Sequence, residues 1–598
     1  MKKLTIIFTL IFNLLAVSNV LAEEVEESFF IFEEVVVTAS RYEELLSETF
    51  TSIEIIREEE IRERSVENVG DLLRDVSGVN INDNAGASGV KTISIRGSAS
   101  EQVLVLIDGQ PINEVQGGGI DLSLIPIEQI ERIEVLKGPA SAIYGANALG
   151  GVVNIITKRG TLDSQTTIKA GFASFDTQSY NLSHYNQQGD LGYSLNLNKK
   201  SSDGHRENSD LDQKNLFVRF DYPLSDSIDT RLSIQYDKAD KGVPGSIQSA
   251  SPKARQNDEL LNLNFQGKRR TDNSDFKLTL HWRSDERDYK DPTWSTDDNH
   301  KRRRKGVNFN HRFYLQDHTI VYGLDLEEQK VDSTAYNEIY QLTNQAAFIQ
   351  NKWSLTDDFI FNLGTRYDRH EEYGSNLSPR VGFLYNLNSN LSWYSSVGKA
   401  YRAPTFDDLY WPDSGNPDLN SEISKSYESG LRYIGDKTKL DFGVFYSHMD
   451  DMIAWVPNPT DENPWRWTPD NIDSAKIKGI ELSFDKDLSG SLYSNFNYTY
   501  LDARDGDKER LANRPYHRAN LGLSYNNKGT IVNLSNRLVV GRKDLPSYYL
   551  ADFKILRELT SNAEIFFGVN NLFDREYEVQ AGYPMPERNY KVELIKRF

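Results

Sequence analysis

The chain has 598 residues, too many for one ordinary hydrophobic core, so two or more folded units are expected. Its net charge of −20 argues against general nucleic-acid binding, which requires a basic face, and the absence of cysteine excludes disulfides, thiolate metal sites and cysteine nucleophiles. Only 38% of the residues are hydrophobic although 11% are aromatic, which suits a partly wetted β-structure better than a helical membrane protein.

The first residues have the pattern of an export signal. Lys2 and Lys3 precede a mostly apolar run over residues 4–17, and Val20-Leu21-Ala22 matches a small-residue cleavage site. This pattern predicts a signal peptide over residues 1–22, with an uncleaved membrane anchor as the alternative. No later stretch has the length and apolar character of a transmembrane helix, so a membrane protein could span only as a barrel.

An acidic tail over residues 23–34 leads into a short, mostly β-branched run over residues 35–40, which Arg41 follows. Charged residues bound this run on both sides. Such a run is compatible with a first β-strand of the fold and equally with a donor strand that pairs with the sheet edge of a partner protein. The residues by themselves leave both interpretations open.

A compact α/β unit is predicted next. Residues 93–97 and 103–107 are predicted strands, and Asp108-Gly109 is a strong turn signal between extended segments. Two glycine-rich loops, residues 84–89 and 116–119, are not followed directly by the lysine and hydroxyl residue of a phosphate-binding loop, so they are expected to be mobile loops at one end of the unit. Scans for zinc-protease, hydrolase-elbow and P-loop motifs are empty, which predicts that the chain is not an enzyme.

From about Leu162 onward the hydrophobic period changes to two. One apolar and one polar face recur over many segments, which is what a barrel with a lipid-facing surface and a wet lumen requires. Strand and turn lengths predict on the order of 20 spanning strands. Examples of residues on the apolar face are Ile168, Phe172, Leu216, Val218, Phe220, Phe276, Leu278, Leu280, Trp282, Leu363, Tyr367, Phe442, Val444 and Tyr446.

Three parts of the sequence together resemble the TonB-dependent outer-membrane receptors. Residues 126–157 are similar to the plug signature of that family, and residues 34–39 are similar to its TonB box. Near the C-terminus, residues 570–574 and Phe598 resemble the family's C-terminal motif and barrel-assembly signal. The resemblance implies an all-β transmembrane barrel of 22 antiparallel strands in the outer membrane, with an N-terminal α/β plug domain inside the lumen.

The same resemblance implies a division of the chain and a partner. The expected parts are the signal peptide (1–22), a periplasmic tail (23–45), the plug (46–158) and the barrel (159–598). The TonB box would bind TonB, which delivers energy from the inner membrane. Its residues are Glu34, Val35, Val36, Val37, Thr38, Ala39 and Ser40.

Within the family the sequence is most similar to the receptors that import vitamin B12 (cobalamin), with a ferric siderophore or haem as the alternative cargo. A passive porin is disfavoured because a porin needs neither plug nor box, whereas phage or colicin binding could coexist with transport. Trp455, Trp465 and Trp467 are expected to form an aromatic lid or part of the interface girdle. Carried over position by position, the resemblance implies cargo contacts by Val90, Thr92, Ala99, Gly117, Gly118 and Arg514.

Receptors of this branch also bind calcium through loop aspartates, and oxygen ligands from two loops suit this hard cation. A cation at Arg206, where an aspartate is expected, would oppose calcium. Two interpretations therefore remain open, a structural calcium site and a solvated acidic loop. The matching positions are Asp210, Asp212 and Asp258, with Asp240 as a further candidate ligand.

Overall fold

The structure is a computed structural model that describes residues 34–64, 66–84, 86–457, 466–472 and 474–598. The predicted signal peptide and Trp465 lie outside these residues. Within the described ranges, no helix has both the length and the apolar character needed to cross a membrane. The described chain forms a plug and a barrel.

The plug is an α/β unit at the N-terminal end of the described chain. Its strands are β1 (Val35–Val36), β2 (Glu44–Leu45), β3 (Ile53–Arg57), β4 (Val79–Asp83), β5 (Lys91–Ile95), β6 (Val103–Ile107), β7 (Gln110–Pro111), β8 (Ile130–Lys137) and β9 (Gly151–Thr157). Its α-helices are α1 (Glu58–Arg64), α2 (Val69–Leu73) and α3 (Ser141–Tyr144), and 3-10 turns cover Leu46–Glu48, Ser100–Gln102 and Leu122–Leu124. The main sheet has the order β3-β8-β9-β6-β7, and β6 runs parallel to β9.

Apolar side chains from the sheet and from α2 fill the core of the plug. Asp108 and Gly109 form the predicted two-residue turn between β6 and β7, with positive φ angles of 48° and 83°. Two consecutive positive φ angles are typical of the tight hairpin turn that this dipeptide favours. Core residues without exposed surface include Leu72, Leu73, Ile93, Val103, Val105, Ile130, Ile133, Val135, Val153 and Ile155.

The barrel consists of 22 antiparallel strands, and the last strand pairs with the first. The strands are β10 (Gln165–Ala173), β11 (Thr177–Gln188), β12 (Leu191–Ser202), β13 (Leu211–Ser225), β14 (Ile228–Gly242), β15 (Arg255–Thr271), β16 (Ser274–Asp291), β17 (Thr296–Leu315), β18 (His318–Ser333), β19 (Tyr340–Thr356), β20 (Phe359–His370), β21 (Gly374–Asn386), β22 (Leu391–Arg402), β23 (Glu422–Gly435), β24 (Thr438–Asp450), β27 (Ala475–Ser489), β28 (Leu492–Asp505), β29 (His517–Asn527), β30 (Thr530–Val540), β31 (Tyr548–Thr560), β32 (Ala563–Asn570) and β33 (Asn589–Arg597). Between barrel strands lie the helix α4 (Phe406–Tyr410) and the paired strands β25 (Met452–Pro457) and β26 (Trp467–Ile472).

The alternating segments of the sequence are barrel strands whose apolar residues face outward. In β10, Ile168 and Phe172 are 45% and 55% exposed, and in β16, Leu278 is 40% exposed. The residues between them point inward, and on β16 these include the buried Thr279 and His281. The arrangement confirms the predicted barrel with an apolar outer surface and a polar lumen.

The two ends of the barrel differ in their connections. At one end, strands join through two-residue turns such as residues 189–190 and 272–273. At the other end, the connections include loops over residues 243–254, 403–421 and 571–588. We call these the short-turn end and the long-loop end.

Buried charged residues join the plug to the barrel wall. Arg96 of the plug donates hydrogen bonds to Glu481 (Nε to Oε1, 3.1 Å) and to Glu428 (Nη2 to Oε1, 2.8 Å). From the wall, Arg432 donates to the carbonyl oxygen of Thr51 at 2.7 Å. Because these groups are buried, loss of one partner would leave the other charge uncompensated in a poorly solvated place.

Gly382→Ala should loosen the plug without opening the barrel. Gly382 lies on β21 and faces the plug, and a Cβ atom at this position would come within 2.1 Å of the Phe50 ring. Overpacking a buried site costs about 1–3 kcal/mol. Because the Phe50 ring must move to make room, we expect the docked plug to lose about this much stability. We expect faster proteolysis of the plug in the purified protein, with an unchanged electrophoretic mobility of the unheated barrel.

Gly267→Ala on β15 is the matched control, because a Cβ atom there meets nothing within 4 Å. Equal proteolysis rates for the two variants would contradict the close contact between Gly382 and Phe50.

Candidate functional site

Three loops of the plug, residues 86–90, 97–101 and 116–119, lie at the long-loop end. Gly118 in the third loop has a φ angle of 75°, which glycine adopts without strain. A Cβ atom on Gly118 would lie 3.0 Å from Thr405 and 3.4 Å from Glu101. The glycine-rich loop therefore contacts both a second plug loop and the barrel loop 403–421.

Arg514 holds the second of these plug loops. Its Nε atom donates a hydrogen bond to the Gly97 carbonyl oxygen at 3.0 Å, and its Nη2 atom donates to the Ser98 carbonyl oxygen at 3.2 Å. Ala99 follows directly in the chain. Because Glu101 of this loop contacts the glycine-rich loop, four of the predicted cargo residues form one cluster, which we call the apex cluster: Ala99, Gly117, Gly118 and Arg514.

Val90 and Thr92 are not part of the apex cluster. They belong to the β4–β5 hairpin, where the Asn84 N–H donates to the Val90 carbonyl oxygen at 3.3 Å and Thr92 pairs with Asn82. The hydrogen bonds that Arg514 makes within the described chain go to other residues. The structure thus divides the predicted cargo residues between the apex cluster and the β4–β5 hairpin.

The helix α4 covers the glycine-rich loop, a role that the sequence analysis missed. Asp407 of α4 accepts hydrogen bonds from Gln116 Nε2 at 3.0 Å and from the Tyr336 hydroxyl at 2.7 Å. Burial raises the pKa of Asp407, and these two hydrogen bonds offset part of the rise. Beside this contact, the rings of Tyr340 and Tyr410 stack with their centroids 3.9 Å apart.

The sequence does carry a signal for the start of α4. The Thr405 hydroxyl accepts a hydrogen bond from the Asp408 N–H at 3.1 Å, and the Asp408 carboxylate accepts one from the Thr405 N–H at 3.0 Å. This reciprocal pair is a capping box, which a hydroxyl residue followed three positions later by an acid can form. The signal indicates where the helix begins, but not which plug loop lies beneath it.

Glu114 anchors the glycine-rich loop to the barrel wall. Its N–H donates to the Gly119 carbonyl oxygen at 2.8 Å, and its carboxylate accepts hydrogen bonds from Arg287 at 2.6 Å and Arg302 at 2.7 Å. Burial raises the pKa of Glu114, but the two guanidinium groups outweigh it and lower the pKa to about 2. The carboxylate therefore stays ionised at neutral pH and keeps the loop bound.

The four predicted calcium ligands do not surround one point. Arg255 Nη1 donates to both carboxylate oxygens of Asp210 at 2.7 Å, and Arg255 also bonds Asp240. Asp258 instead accepts a hydrogen bond from Arg287 Nε at 2.8 Å. The structure thus joins two of the four aspartates through an arginine and places the third in a different ion pair.

Asp212 is exposed on β13, and Lys214 lies 4.0 Å from it. Within the described chain, no three acidic or histidine side chains converge as ligands of a metal ion. The Arg255 guanidinium lies between Asp210 and Asp240 where a calcium ion would need to bind, so this arrangement does not fit calcium. Calcium binding stays a prediction that a direct measurement can decide.

The predicted TonB box, residues 34–40, is docked on the plug at the short-turn end. The N–H groups of Val37 and Thr38 and the Thr38 hydroxyl donate hydrogen bonds to one carboxylate oxygen of Glu134, at 2.9, 2.9 and 2.6 Å. Thr38 is 0% exposed and Ala39 is 3% exposed. We call residues 34–40 the docked strand, and within it Val35 and Val36 form β1 and pair with β2. A partner that pairs with the docked strand must therefore first undock it.

Arg41, which directly follows the docked strand, is bound to the barrel wall. Its guanidinium donates hydrogen bonds to the Asp325 carboxylate at 3.0 and 2.9 Å. Beside it lies a cavity of about 640 Å³ between plug and wall, whose lining extends from Phe406 near the long-loop end to Glu43 at the short-turn end. The segment after the docked strand forms part of the boundary of this cavity.

Comparison with known proteins matches nearly the whole described chain. Residues 161–572 match the family described as "TonB dependent receptor-like, beta-barrel", and residues 46–152 match the "TonB-dependent Receptor Plug Domain". The chain is 29% identical over 586 residues to the vitamin B12 transporter BtuB of Photobacterium profundum, covering 94% of this chain and 95% of that protein.

Two further similarities bear on the range of relatives. The chain is 27% identical over 632 residues to the iron-regulated outer membrane virulence protein of Vibrio cholerae, covering 93% of this chain and 94% of that protein. Among solved structures, the siderophore receptor PirA from Acinetobacter baumannii has a TM-score of 0.80 at 20% identity, covering 91% of this chain and 98% of that one. At this identity the structural likeness concerns the fold.

Glu134→Gln should release the docked strand. Hydrogen bonds to a carboxylate are about twice as strong as those to a neutral acceptor, so loss of the charge weakens the contacts with Val37 and Thr38 together. The chain has no cysteine of its own, so Ala39→Cys provides a single probe at a buried position. We expect thiol labelling about tenfold faster after Glu134→Gln.

The control for this measurement is Glu131→Gln on the same strand, because Glu131 contacts Arg132 and makes no described contact with the docked strand. If labelling at Ala39→Cys is the same in both variants, Glu134 does not hold the strand.

Arg255→Gln should create calcium dependence. The variant leaves Asp210 and Asp240 as two adjacent carboxylates without their shared cation, which raises the affinity for a divalent ion. We expect added calcium to raise the melting temperature of the variant and to leave that of the parent protein unchanged. Arg270→Gln is the control, because Arg270 pairs with Asp229 elsewhere on the barrel. An equal rise of the melting temperature in the parent protein would mean that calcium displaces Arg255 from the two aspartates.

Proposed function

Because the chain belongs to the TonB-dependent outer-membrane receptors, we propose that it imports vitamin B12 (cobalamin) across the outer membrane into the periplasm. The choice of cargo is carried by one observation, the similarity to a vitamin B12 transporter at 29% identity over 94% of this chain. The match extends through plug and barrel alike, so it includes both parts that would contact the cargo.

In this proposal the apex cluster contacts the cargo. Glycines at positions 117 and 118 leave the backbone free of side chains, which allows close approach of a large ligand. Arg514 presents a guanidinium beside Ala99 and fixes the shape of that loop through the carbonyl oxygens of Gly97 and Ser98. Since Thr405, which caps α4, lies over Gly118 and Asp407 of α4 lies over Gly117, the cargo reaches the glycines only when α4 shifts.

Energy for uptake is supplied in this proposal by TonB. An extended strand that adds to the sheet edge of a partner can transmit a pull through its backbone hydrogen bonds. Residues 34–40 have the length and position for this role, and the Glu134 carboxylate holds them while the receptor is at rest. Withdrawal of the segment that includes Arg41 and Glu43 would open the cavity beside the plug toward the periplasm.

The alternative cargo is a ferric siderophore or haem. It is favoured by the similarity at 27% identity to an iron-regulated outer membrane protein, which covers the chain almost as completely. The difference between the two identities is small, so a binding measurement has to choose between the two kinds of cargo.

Binding of cyanocobalamin and of a panel of ferric siderophores to the purified protein tests the proposal. We expect saturable binding of cyanocobalamin, weakened about tenfold or more by Arg514→Ala because the loop of Ala99 loses its two hydrogen bonds. Arg504→Ala is the control, since Arg504 bonds Asp502 and Tyr516 in the barrel rather than the plug. Tight siderophore binding without cobalamin binding would replace the proposed cargo.

Uptake by intact cells separates binding from energy coupling. Deletion of residues 34–40 should abolish cyanocobalamin uptake and leave binding to the purified receptor unchanged. Uptake at the parent rate after this deletion would contradict the role of the segment as the TonB box.

A further inference from the structure

Arg380 is a buried cation without a hydrogen-bond partner in the described chain. It lies on β21, faces the plug and is 3% exposed, and none of its three guanidinium nitrogens makes a hydrogen bond with a described residue. Its guanidinium lies 4.9 Å from the centroid of the Phe50 ring. A buried charge without hydrogen bonds is unfavourable, so the resting structure holds Arg380 at a free-energy cost.

Arg432 provides a comparison in the same wall. It is 2% exposed and also faces the N-terminal segment of the plug. Its nitrogens donate to the carbonyl oxygens of Leu46 at 2.8 Å and Thr51 at 2.7 Å, and to Asp441 at 3.1 Å. Arg432 therefore binds the plug through hydrogen bonds, whereas Arg380 touches the same segment only through a ring. Holding the plug does not explain the charge at position 380.

Glu428, an acidic neighbour of Arg380 in the wall, depends on the plug for its partners. Its Oε1 atom accepts a hydrogen bond from Arg96 at 2.8 Å and its Oε2 atom accepts one from the Thr51 hydroxyl at 3.1 Å. Both donors belong to the plug. When the plug moves, the Glu428 carboxylate loses both hydrogen bonds and its counter-ion, which is costly in a poorly solvated lumen.

Small residues lie between Arg380 and Glu428 in the wall. Arg380 is opposite Gly398 of β22, and Glu428 is opposite Ser396 of the same strand. The two residues are thus about 10 Å apart across the strands and about 7 Å apart along them. An extended arginine and a glutamate together cover this separation. Because Gly398 has no side chain, the stem of Arg380 can lie over it, and Arg380 Cγ is 3.2 Å from the position of a Cβ atom on Gly398.

Two plug residues occupy this path in the resting state. The Phe50 ring covers the Arg380 guanidinium, and Pro139 Cγ lies 3.3 Å from the position of a Cβ atom on Gly398. In the resting state Arg380 therefore makes no hydrogen bond with Glu428, and Arg96 is the residue that donates to this carboxylate.

We infer that Arg380 is a reserve counter-ion that pairs with Glu428 when the plug is displaced. The inference rests on the proposed transport, in which the plug moves. Departure of the plug removes Arg96 from Glu428 and removes Phe50 and Pro139 from the path. Arg380, whose stem already lies over Gly398, then extends its guanidinium toward Glu428 and replaces Arg96. The pair of Arg380 and Glu428 lowers the free energy of the displaced state. When the plug returns, Arg96 again takes the place of Arg380 at Glu428.

The experiment measures plug displacement in the purified full-length protein, without cargo or TonB. Ser141 is fully buried and its hydroxyl accepts a hydrogen bond from the Tyr401 N–H of β22. In this cysteine-free chain, Ser141→Cys therefore reports when the plug leaves the wall. The rate of thiol labelling is measured over a range of urea concentrations, and the mobility of the unheated protein verifies that the barrel is intact.

Arg380→Met keeps an apolar contact with Phe50 and removes the charge. We expect labelling about tenfold slower than in the parent, because the displaced state loses its ion pair and the resting state loses an unpartnered charge. Arg380→Lys keeps the charge and should label at about the parent rate. If Arg380→Met does not form an intact barrel, Arg380→Gln takes its place with the same expectation.

Arg432→Met is the matched control and should label faster, because it removes hydrogen bonds that hold the plug. Faster or unchanged labelling in Arg380→Met would overturn the inference, since Arg380 would then hold the plug or have no part in its movement. In a Glu428→Gln background the effect of Arg380→Met should become smaller, and an undiminished effect would exclude Glu428 as the partner. Because the labelling measurement uses no cargo, it tests the role of Arg380 even if the receptor does not bind cobalamin. Failure of the proposed cargo and failure of the proposed Arg380–Glu428 pair can therefore be told apart.

Discussion

Side chains alternate along every barrel strand, so an apolar outer surface imposes a polar lumen, and the plug can be held there mainly by hydrogen bonds and ion pairs. Arg96 bonded to Glu428 and Glu481 is the central example, and Arg219 of the wall, which donates to the Thr157 carbonyl oxygen at 2.6 Å, is another. Directional contacts of this kind are strong when complete and costly when one partner is missing. Such contacts favour two states of the plug over partly docked ones. In one state the plug is fully docked, and in the other it is displaced and the buried charges have found other partners.

The two ends of the plug are connected through its central sheet. The loop that contains Ala99 leads into β6, β6 pairs with β9, and β9 pairs with β8, which carries Glu134. Glu134 in turn binds the docked strand through Val37 and Thr38. A few hydrogen-bonded strands therefore separate the apex cluster at the long-loop end from the docked strand at the short-turn end.

Local patterns allowed much of this fold to be predicted. The parity of apolar residues identifies the outward face of strands such as β10 and β16, and Asp108-Gly109 identifies a hairpin because both residues tolerate positive φ. Contacts across the lumen leave no such pattern. Arg96 and Glu481 are 385 positions apart, and parity shows that each points inward without showing which residue it meets.

The same limit applies to the candidate site. Position-by-position comparison with the family selected Asp210, Asp212 and Asp258 as calcium ligands, and Asp240 was added as a further candidate. It gave no sign that Arg255 would lie between Asp210 and Asp240. The same comparison selected six cargo residues, of which the structure brings Ala99, Gly117, Gly118 and Arg514 together, and their contact with cargo stays a prediction. The contact of the apex cluster with α4 was missed, since a capping box shows only where a helix begins.

The unequal connections at the two ends have a consequence for how such a receptor evolves. The entropic cost of closing a loop grows only slowly with its length, so insertions in the loops 403–421 or 571–588 change the stability of the barrel little. A two-residue turn fixes the register of its strands and tolerates no such change. Mutations can therefore alter the loops at one rim while the opposite rim, where residues 34–40 are docked, keeps its geometry. Descendants of one ancestor can in this way acquire new cargoes while they inherit the same coupling to an energy source.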